Sequence, residues 1–123
     1  MSANVLGLNV WSHDTSACLV AGGRLTCAVE EERFNGEKHT TKFPANAIRA
    51  VLDQQRLGID ALDAICVGWD YERMVRYQYL KPAMSIDQEL RVLPQYFERI
   101  GRFLDTERII REQTGFTGQV SFV

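Results

Sequence analysis

Residues 5–30 of this 123-residue chain, VLGLNVWSHDTSACLVAGGRLTCAVE, decide its fold. Val5–Val10 is nearly continuously apolar and short, which is typical of a strand buried on both faces of a sheet. Ala17–Ala21 and Arg24–Glu30 flank Gly22-Gly23, a pair that supplies the positive φ a tight hairpin turn requires. We therefore predict three consecutive antiparallel strands.

Helices and further strands follow this hairpin. Proline in a first turn and apolar residues on one face predict a helix over Pro44–Leu57, with Gly58 as its left-handed C-terminal cap. The apolar run Ala64–Trp69 predicts a fourth strand, and residues 119–123, QVSFV, predict a fifth.

A second helix is predicted between the last two strands. Ser85 and Gln88 have the spacing of a capping box, and Pro94 should kink or split the helix that follows. Thr114-Gly115 should end the helical stretch. Within this helix, apolar residues recur at alternating steps of four and three, a pattern that favours packing over ligand binding. These residues are Ile86, Leu90, Leu93, Phe97, Ile100 and Leu104.

The order of elements predicts an α/β fold. Three antiparallel strands followed by helix-connected strands make a mixed sheet with helices on its faces, as in ribonuclease-H-like and actin-like ATPase domains. Because the fifth strand ends with the chain at Val123, we expect residues 1–123 to be a single, incomplete half-domain, which is a fragment or a subunit of something longer.

Composition excludes several classes of function. The 14 basic and 16 acidic residues are interspersed, so no concentrated positive surface for nucleic acid is expected. The three cysteines lie in apolar runs without paired spacing, which favours reduced thiols over disulfides or a zinc site. Since the chain has neither a basic, apolar leader nor a membrane-length apolar run, we expect a cytoplasmic protein without membrane contact.

A polar loop, His13 to Ser16, separates the first two strands. Ligands collect where strand ends and loops converge, and each of these residue types has suitable chemistry. An imidazole can act as general base, a carboxylate such as Asp14 can hold a metal or orient water, and hydroxyls of Thr15 and Ser16 can donate to phosphate. The alternative is that Asp14 and Ser16 simply satisfy turn amides.

A second group of polar residues lies in the loop after the third strand. Lys38, His39 and Lys42 would form a small cationic pocket with His13 if this loop folds back toward the first strand.

Three consecutive glutamates end the third strand. Strand alternation places Glu31 on one face and Glu30 and Glu32 on the other, and we expect a solvated strand end. Trp11 and Trp69 each continue an apolar strand, so both are predicted to anchor the edge of the core.

Residues 5–52 together resemble the N-terminus of the carbamoyltransferase family, which includes nodulation-factor, cephamycin and aminoglycoside carbamoylation enzymes. The pieces that match, in order and spacing, are LGLN in the first strand, His-Asp-x-Ser-Ala, Gly-Arg-Leu, Glu-Glu-Arg-Phe, Lys-His and Phe-Pro-x-x-Ala-Ile. Where the family usually carries an additional basic residue, this chain has Asn35-Gly36-Glu37.

The resemblance implies the N-terminal, actin-fold part of an ATP-dependent O-carbamoyltransferase. In that family carbamoyl phosphate and ATP yield a carbamoyl adenylate in a separate C-terminal domain, and the carbamoyl group passes to a hydroxyl of a sugar or other natural product. The implied partners are therefore the remainder of the enzyme and a small hydroxylated acceptor. A divalent metal is implied too, with histidine ligands beyond Val123.

The same resemblance implies roles for individual residues. His13 becomes the base or carbamoyl-orienting group, Asp14 joins it as a catalytic residue, and Thr15 and Ser16 contact the adenylate. Lys38 and His39 are further candidates for contact with the phosphates. Glu31 and Arg33 would organise the site.

Two alternatives remain open at this point. The first is a non-catalytic ribonuclease-H-like module for binding or assembly, favoured by the apolar stripe of residues 86–104. The second is an actin-like sugar kinase, which would need glycine-rich phosphate motifs that the sequence does not contain.

Overall fold

The computed structural model describes residues 2–75 and 98–123. At its centre is a five-stranded sheet in the order β3-β2-β1-β4-β5. The strands are β1 Asn4–Asn9, β2 Ser16–Ala21, β3 Arg24–Glu30, β4 Ala64–Val67 and β5 Gln119–Phe122. Strands β1, β2 and β3 pair antiparallel, whereas β4 pairs parallel with β1 and β5 pairs parallel with β4. This topology confirms the predicted mixed sheet of the ribonuclease-H-like and actin-like class.

Helices connect the later strands. They are α1 Glu32–Asn35, α2 Ala45–Gln54, a 3-10 turn Ile59–Ala61, α3 Tyr71–Met74 and α4 Thr106–Thr114. Residues 98–104 are also helical. The sequence analysis missed α1, which lies between β3 and the loop predicted over Asn35–Lys42 and shares only Asn35 with that loop. Across residues 2–75 and 98–123, no helix has the length and apolar character needed to cross a membrane.

Most of the helix predicted from Ser85 cannot be compared with the structure. Residues 85–97, which include Pro94 and most of the apolar stripe, lie outside the described residues. At the end of the stripe, Ile100 packs against the core, whereas Leu104 is exposed.

The core lies on one face of the sheet. Leu6 and Leu8 of β1, Leu19 of β2 and Ile65 of β4 are buried there together with one side of α2. Burial of each of these side chains stabilises the fold by roughly 1.5–3 kcal/mol. The residues that α2 contributes are Ala47, Ile48, Val51 and Leu52.

The opposite face of the sheet carries small side chains in register across neighbouring strands. Gly7 pairs with Cys18 on one side and with Cys66 on the other, and Cys18 pairs with Ala28. None of the four is fully buried: Gly7, Cys18 and Cys66 are half-buried, and Ala28 is exposed. We refer to this surface as the open face. The prediction that β1 is buried on both faces is therefore wrong for the described part of the chain.

Residues with a left-handed backbone mark the turns, but the predicted C-terminal cap of α2 is wrong. Gly22 and Gly23 have φ of 59° and 77°, as the predicted hairpin turn requires, and Gly115 (φ 75°) caps α4. Gly58, the predicted cap of α2, is extended, with φ −86° and ψ 165°. Arg56 (φ 54°) takes the left-handed position instead, because α2 ends earlier, at Gln54.

A buried carboxylate ties the end of β3 to the start of α2. The Glu31 side chain is only 3% exposed. Its oxygens accept hydrogen bonds from the backbone N–H of Ala47 at 2.8 Å and from Asn46, both backbone (3.3 Å) and side chain (2.7 Å). Helix α2 has no cap of its own, so Glu31 satisfies N–H groups that the first turn leaves unpaired. The expectation of a solvated strand end is thus wrong for Glu31.

Removal of this carboxylate should destabilise the fold. We expect Glu31→Ala to lower the free energy of unfolding by about 2–3 kcal/mol, because it leaves buried donors without acceptors. Glu30→Gln, one residue away and exposed, should change it by less than about 0.5 kcal/mol. Urea denaturation followed by circular dichroism measures both, and equal effects would show that Glu31 is not the cap.

Candidate active site

The loop after β3 folds back onto the start of β2. The backbone N–H of Thr15 donates to the carbonyl of Thr40 at 3.2 Å, and its hydroxyl donates to the carbonyl of Lys42 at 2.7 Å. The Thr15 carbonyl accepts the N–H of Glu31 at 2.9 Å. Because Thr15 is fully buried, its side chain holds the loop and cannot contact phosphate, which corrects the sequence-based assignment.

This closure brings together residues that are distant in sequence. Nδ1 of His39 lies 3.0 Å from Oδ1 of Asp14. A carboxylate only accepts, so the His39 Nδ1 carries the hydrogen and its Nε2 is left as the proton acceptor. The ring of His13 lies edge-on to that of His39, with centroids 6.1 Å apart. Both catalytic candidates, His13 and Asp14, are therefore close to His39.

The backbone at this cluster is strained. Trp11, Asp14 and His39 have φ of 63°, 62° and 55°, the left-handed region that residues with a side chain rarely adopt. Each such residue costs on the order of 1–3 kcal/mol, and such strain is concentrated at functional sites. The surrounding hydrogen bonds must offset this cost, which makes the cluster a candidate active site.

Three carboxylates form a second part of the site. One oxygen each from Asp14, Glu30 and Glu32 lies within 4.8 Å of the others. Glu30 and Glu32 lie together as predicted, although the strand ends at Glu30 and Glu32 begins α1, and the sequence did not reveal that Asp14 joins them. Carboxylate oxygens at this spacing suit a hard cation such as Mg²⁺. The three residues could therefore hold a divalent metal, in addition to any ligands outside this chain.

A groove of about 720 Å³ runs along the open face toward this cluster. Asn9, Ser16, Glu30 and Arg33 supply its polar lining. Small residues form part of the remaining lining, among them Gly7, Cys18, Ala28 and Cys66. Because Glu30 belongs both to the groove and to the carboxylates beside Asp14, the groove reaches the edge of the cluster that contains Asp14 and His39.

The remaining predicted site residues differ in position. Ser16 lines the groove, as a ligand-contacting residue must. Lys38 is exposed, in the same loop as His39. Lys42 pairs with Glu37 instead of adding charge to a cationic pocket.

The two tryptophans behave differently. Trp11 packs near Phe43 and the guanidinium of Arg102, and its indole N–H donates to Thr106 at 2.9 Å, as expected of a residue at the core edge. Trp69 is 45% exposed, so its predicted role as a core anchor is wrong. Its indole N–H donates to Asn9 Oδ1 at 3.1 Å, which places it beside the loop.

Comparison with known proteins gives a family match. The family described as "Carbamoyltransferase N-terminus" matches residues 4–113. "Nodulation protein NolNO" of Sinorhizobium fredii is 39% identical over 61 residues, which are 50% of this chain and 9% of that protein. "Uncharacterized protein sll1178" of Synechocystis is 36% identical over 62 residues, 50% of this chain and 10% of that protein. The chain thus spans about a tenth of the length of the curated relatives it matches.

A solved structure is also similar. "YeaZ from Pseudomonas aeruginosa" matches with a TM-score of 0.41 and 21% identity, over 54% of this chain and 29% of that one.

The Cys18 thiol, which lines the groove, should react slowly. Burial raises the pKa of the Cys18 thiol above its ordinary value of 9.0, an effect that outweighs the hydrogen bond to the backbone of Gly7. Because the thiolate is the reactive form, Cys18 should be alkylated more slowly in the folded chain than in the unfolded one at pH 8.

A variant in which Cys27 and Cys66 are replaced by alanine isolates Cys18 for this test. The iodoacetamide rate of the unfolded chain should level off as pH rises above 9, while that of the folded chain continues to increase. Identical pH profiles in the two states would contradict the shift.

Proposed function

The chain belongs to the family of carbamoyltransferase N-termini, and on that premise we propose that it forms the N-terminal part of an ATP-dependent O-carbamoyltransferase. The donor is carbamoyl phosphate, activated with ATP as carbamoyl adenylate, and the acceptor is a hydroxyl of a sugar or related small molecule. The remainder of the enzyme provides the adenylate-forming domain and the second wall of the cleft. The isolated chain is inactive on this proposal, because a single wall neither excludes water nor positions two reactants.

The contact between Asp14 and His39 is the observation that carries the proposal. In the transfer step the acceptor hydroxyl attacks the carbamoyl carbon, a new C–O bond forms, and the C–O bond to the adenylate phosphate breaks. A base must take the hydroxyl proton as that bond forms. Within the described part of the chain the Nε2 of His39 has no hydrogen-bond partner, and Asp14 is proposed to fix the tautomer of His39 and to stabilise the imidazolium that results.

On this proposal the two histidines have different roles. His39 is the proposed base, because the carboxylate of Asp14 orients its ring. His13, exposed and edge-on to His39, is proposed to contact the carbamoyl group or its phosphate. Ser16 is proposed to contact the adenylate from the groove, and Lys38 to approach the phosphates from the rim.

A divalent metal would accompany the nucleotide in the complete enzyme. Its chemistry there is neutralisation of phosphate charge. Among the residues of this chain, Asp14, Glu30 and Glu32 have the donor atoms to hold it.

Substitution of the proposed pair should remove turnover. In the complete enzyme, supplied with ATP, carbamoyl phosphate and a hydroxylated acceptor, we expect His39→Gln to lower kcat by roughly 10²–10⁴-fold, the usual effect of losing a general base. Asp14→Asn should lower kcat by a similar order, since the amide favours the wrong tautomer of His39. The measurement is formation of the carbamoylated acceptor under single-turnover conditions.

The chain contains only two histidines, so each serves as the control for the other. His13→Gln should raise KM for the donor and lower kcat by less than about tenfold, because it removes binding and not proton transfer. If His13→Gln loses more turnover than His39→Gln, the assignment of the base is wrong. If His39→Gln and Asp14→Asn each kept wild-type turnover, the proposed chemistry would be wrong.

A further inference from the structure

Asn9, the last residue of β1, makes every hydrogen bond that its side chain can form. Its Nδ2 donates to the carbonyls of His13 at 3.1 Å and Asp14 at 3.0 Å. Its Oδ1 accepts from the Ser12 hydroxyl at 2.8 Å and from the Trp69 indole N–H at 3.1 Å. An amide has two hydrogens and two lone pairs to offer, so no capacity is left over.

These bonds act on the strained part of the loop. The carbonyls that Asn9 holds belong to consecutive residues, and the second of them is Asp14, with its left-handed backbone. Within residues 2–75 and 98–123, no other side chain has hydrogen bonds to both of these carbonyls. A left-handed backbone at a residue with a Cβ persists only where neighbouring contacts hold it.

We propose that Asn9 is the positioning residue of the Asp14–His39 pair. It fixes the backbone on either side of Asp14 so that the carboxylate meets Nδ1 of His39. It also connects that loop to Trp69, which follows β4. The inference rests on the proposed function for its catalytic consequence, but the geometric part can be tested without turnover.

The position requires an asparagine in particular. Asn9→Asp keeps the shape and the two acceptor bonds, but it turns an oxygen toward two carbonyl oxygens, so the loop must move away. Asn9→Ala removes all four bonds. Neither change touches the apolar core, because Asn9 lines the groove on the open face.

In the complete enzyme, Asn9→Asp and Asn9→Ala should each lower kcat by about 10–100-fold, while KM for carbamoyl phosphate changes less than about threefold. Asn4→Ala is the matched control. Asn4 is the same residue type on the same strand, and its side chain also donates to a backbone carbonyl, that of Ala61 at 3.1 Å, far from the loop. Its kcat should remain within about twofold of wild type.

A double-mutant cycle separates positioning from general damage to the fold. If Asn9 acts through Asp14, then Asn9→Ala should cost less than about threefold in an enzyme that already carries Asp14→Asn. If Asn9→Ala lowered kcat by the same factor in the wild-type enzyme and in the enzyme that carries Asp14→Asn, the proposal would be wrong. Turnover within threefold of wild type in both Asn9 variants would overturn it as well.

A fluorine NMR experiment tests the inference even if the enzyme transfers no carbamoyl group. In protein labelled with 5-fluorotryptophan, the Trp69 resonance, assigned through Trp69→Phe, should shift in Asn9→Ala and stay in place in Asn4→Ala. An unshifted Trp69 signal in Asn9→Ala would contradict the link to Asn9. Should Asn9→Ala fail to fold, Asn9→Asp serves instead: its Trp69 resonance should move with the displaced loop, and an unmoved one would again count against the proposal.

Discussion

Thr15 is the residue on which the arrangement of the site depends. Its N–H, hydroxyl and carbonyl bind Thr40, Lys42 and Glu31, so one buried residue holds the end of β3 and the loop before α2 against the start of β2. The closure also positions the residue before Thr15 and the residue before Thr40. Because Thr15 and Thr40 are paired through the backbone, their neighbours Asp14 and His39 are placed side by side. The proposed catalytic contact is thus a product of main-chain pairing and of the left-handed backbone at Asp14 and His39.

Local patterns predicted most of the sheet. Val5–Val10 and Ala17–Ala21 differ from the observed strands by one residue at their ends, and Arg24–Glu30 is unchanged. Those signals are local: an apolar run, a glycine pair, an alternation of side chains. The prediction that Gly58 caps α2 was wrong because it needed information that is not local. The point where a helix ends depends on packing that no single residue encodes.

The site was less predictable because its partners are distant in sequence. His13, Asp14 and His39 were all singled out, but the Asp14–His39 contact joins residues 25 positions apart. Glu31 could not be recognised as buried, because its partners lie at the start of α2. Asn9 was passed over as part of an apolar strand. Its position at the end of β1, next to a polar loop, was the available signal, since functional residues collect at the carboxyl ends of strands.

The open face of the sheet adds two rows of side chains to the candidate site. Ser16 pairs with Asn9 on one side and with Glu30 on the other, so a polar row crosses the sheet at the end nearest Asp14. One step further along the strands lies the row of small residues around Gly7, where an added Cβ would come within 2.6 Å of the Cys18 sulfur. A floor of small residues beside a polar rim leaves room for a ligand to approach the backbone closely. On the proposed function, the sheet therefore does more than support the loop, because its open face is the surface that a substrate would occupy beside Glu30 and Asp14.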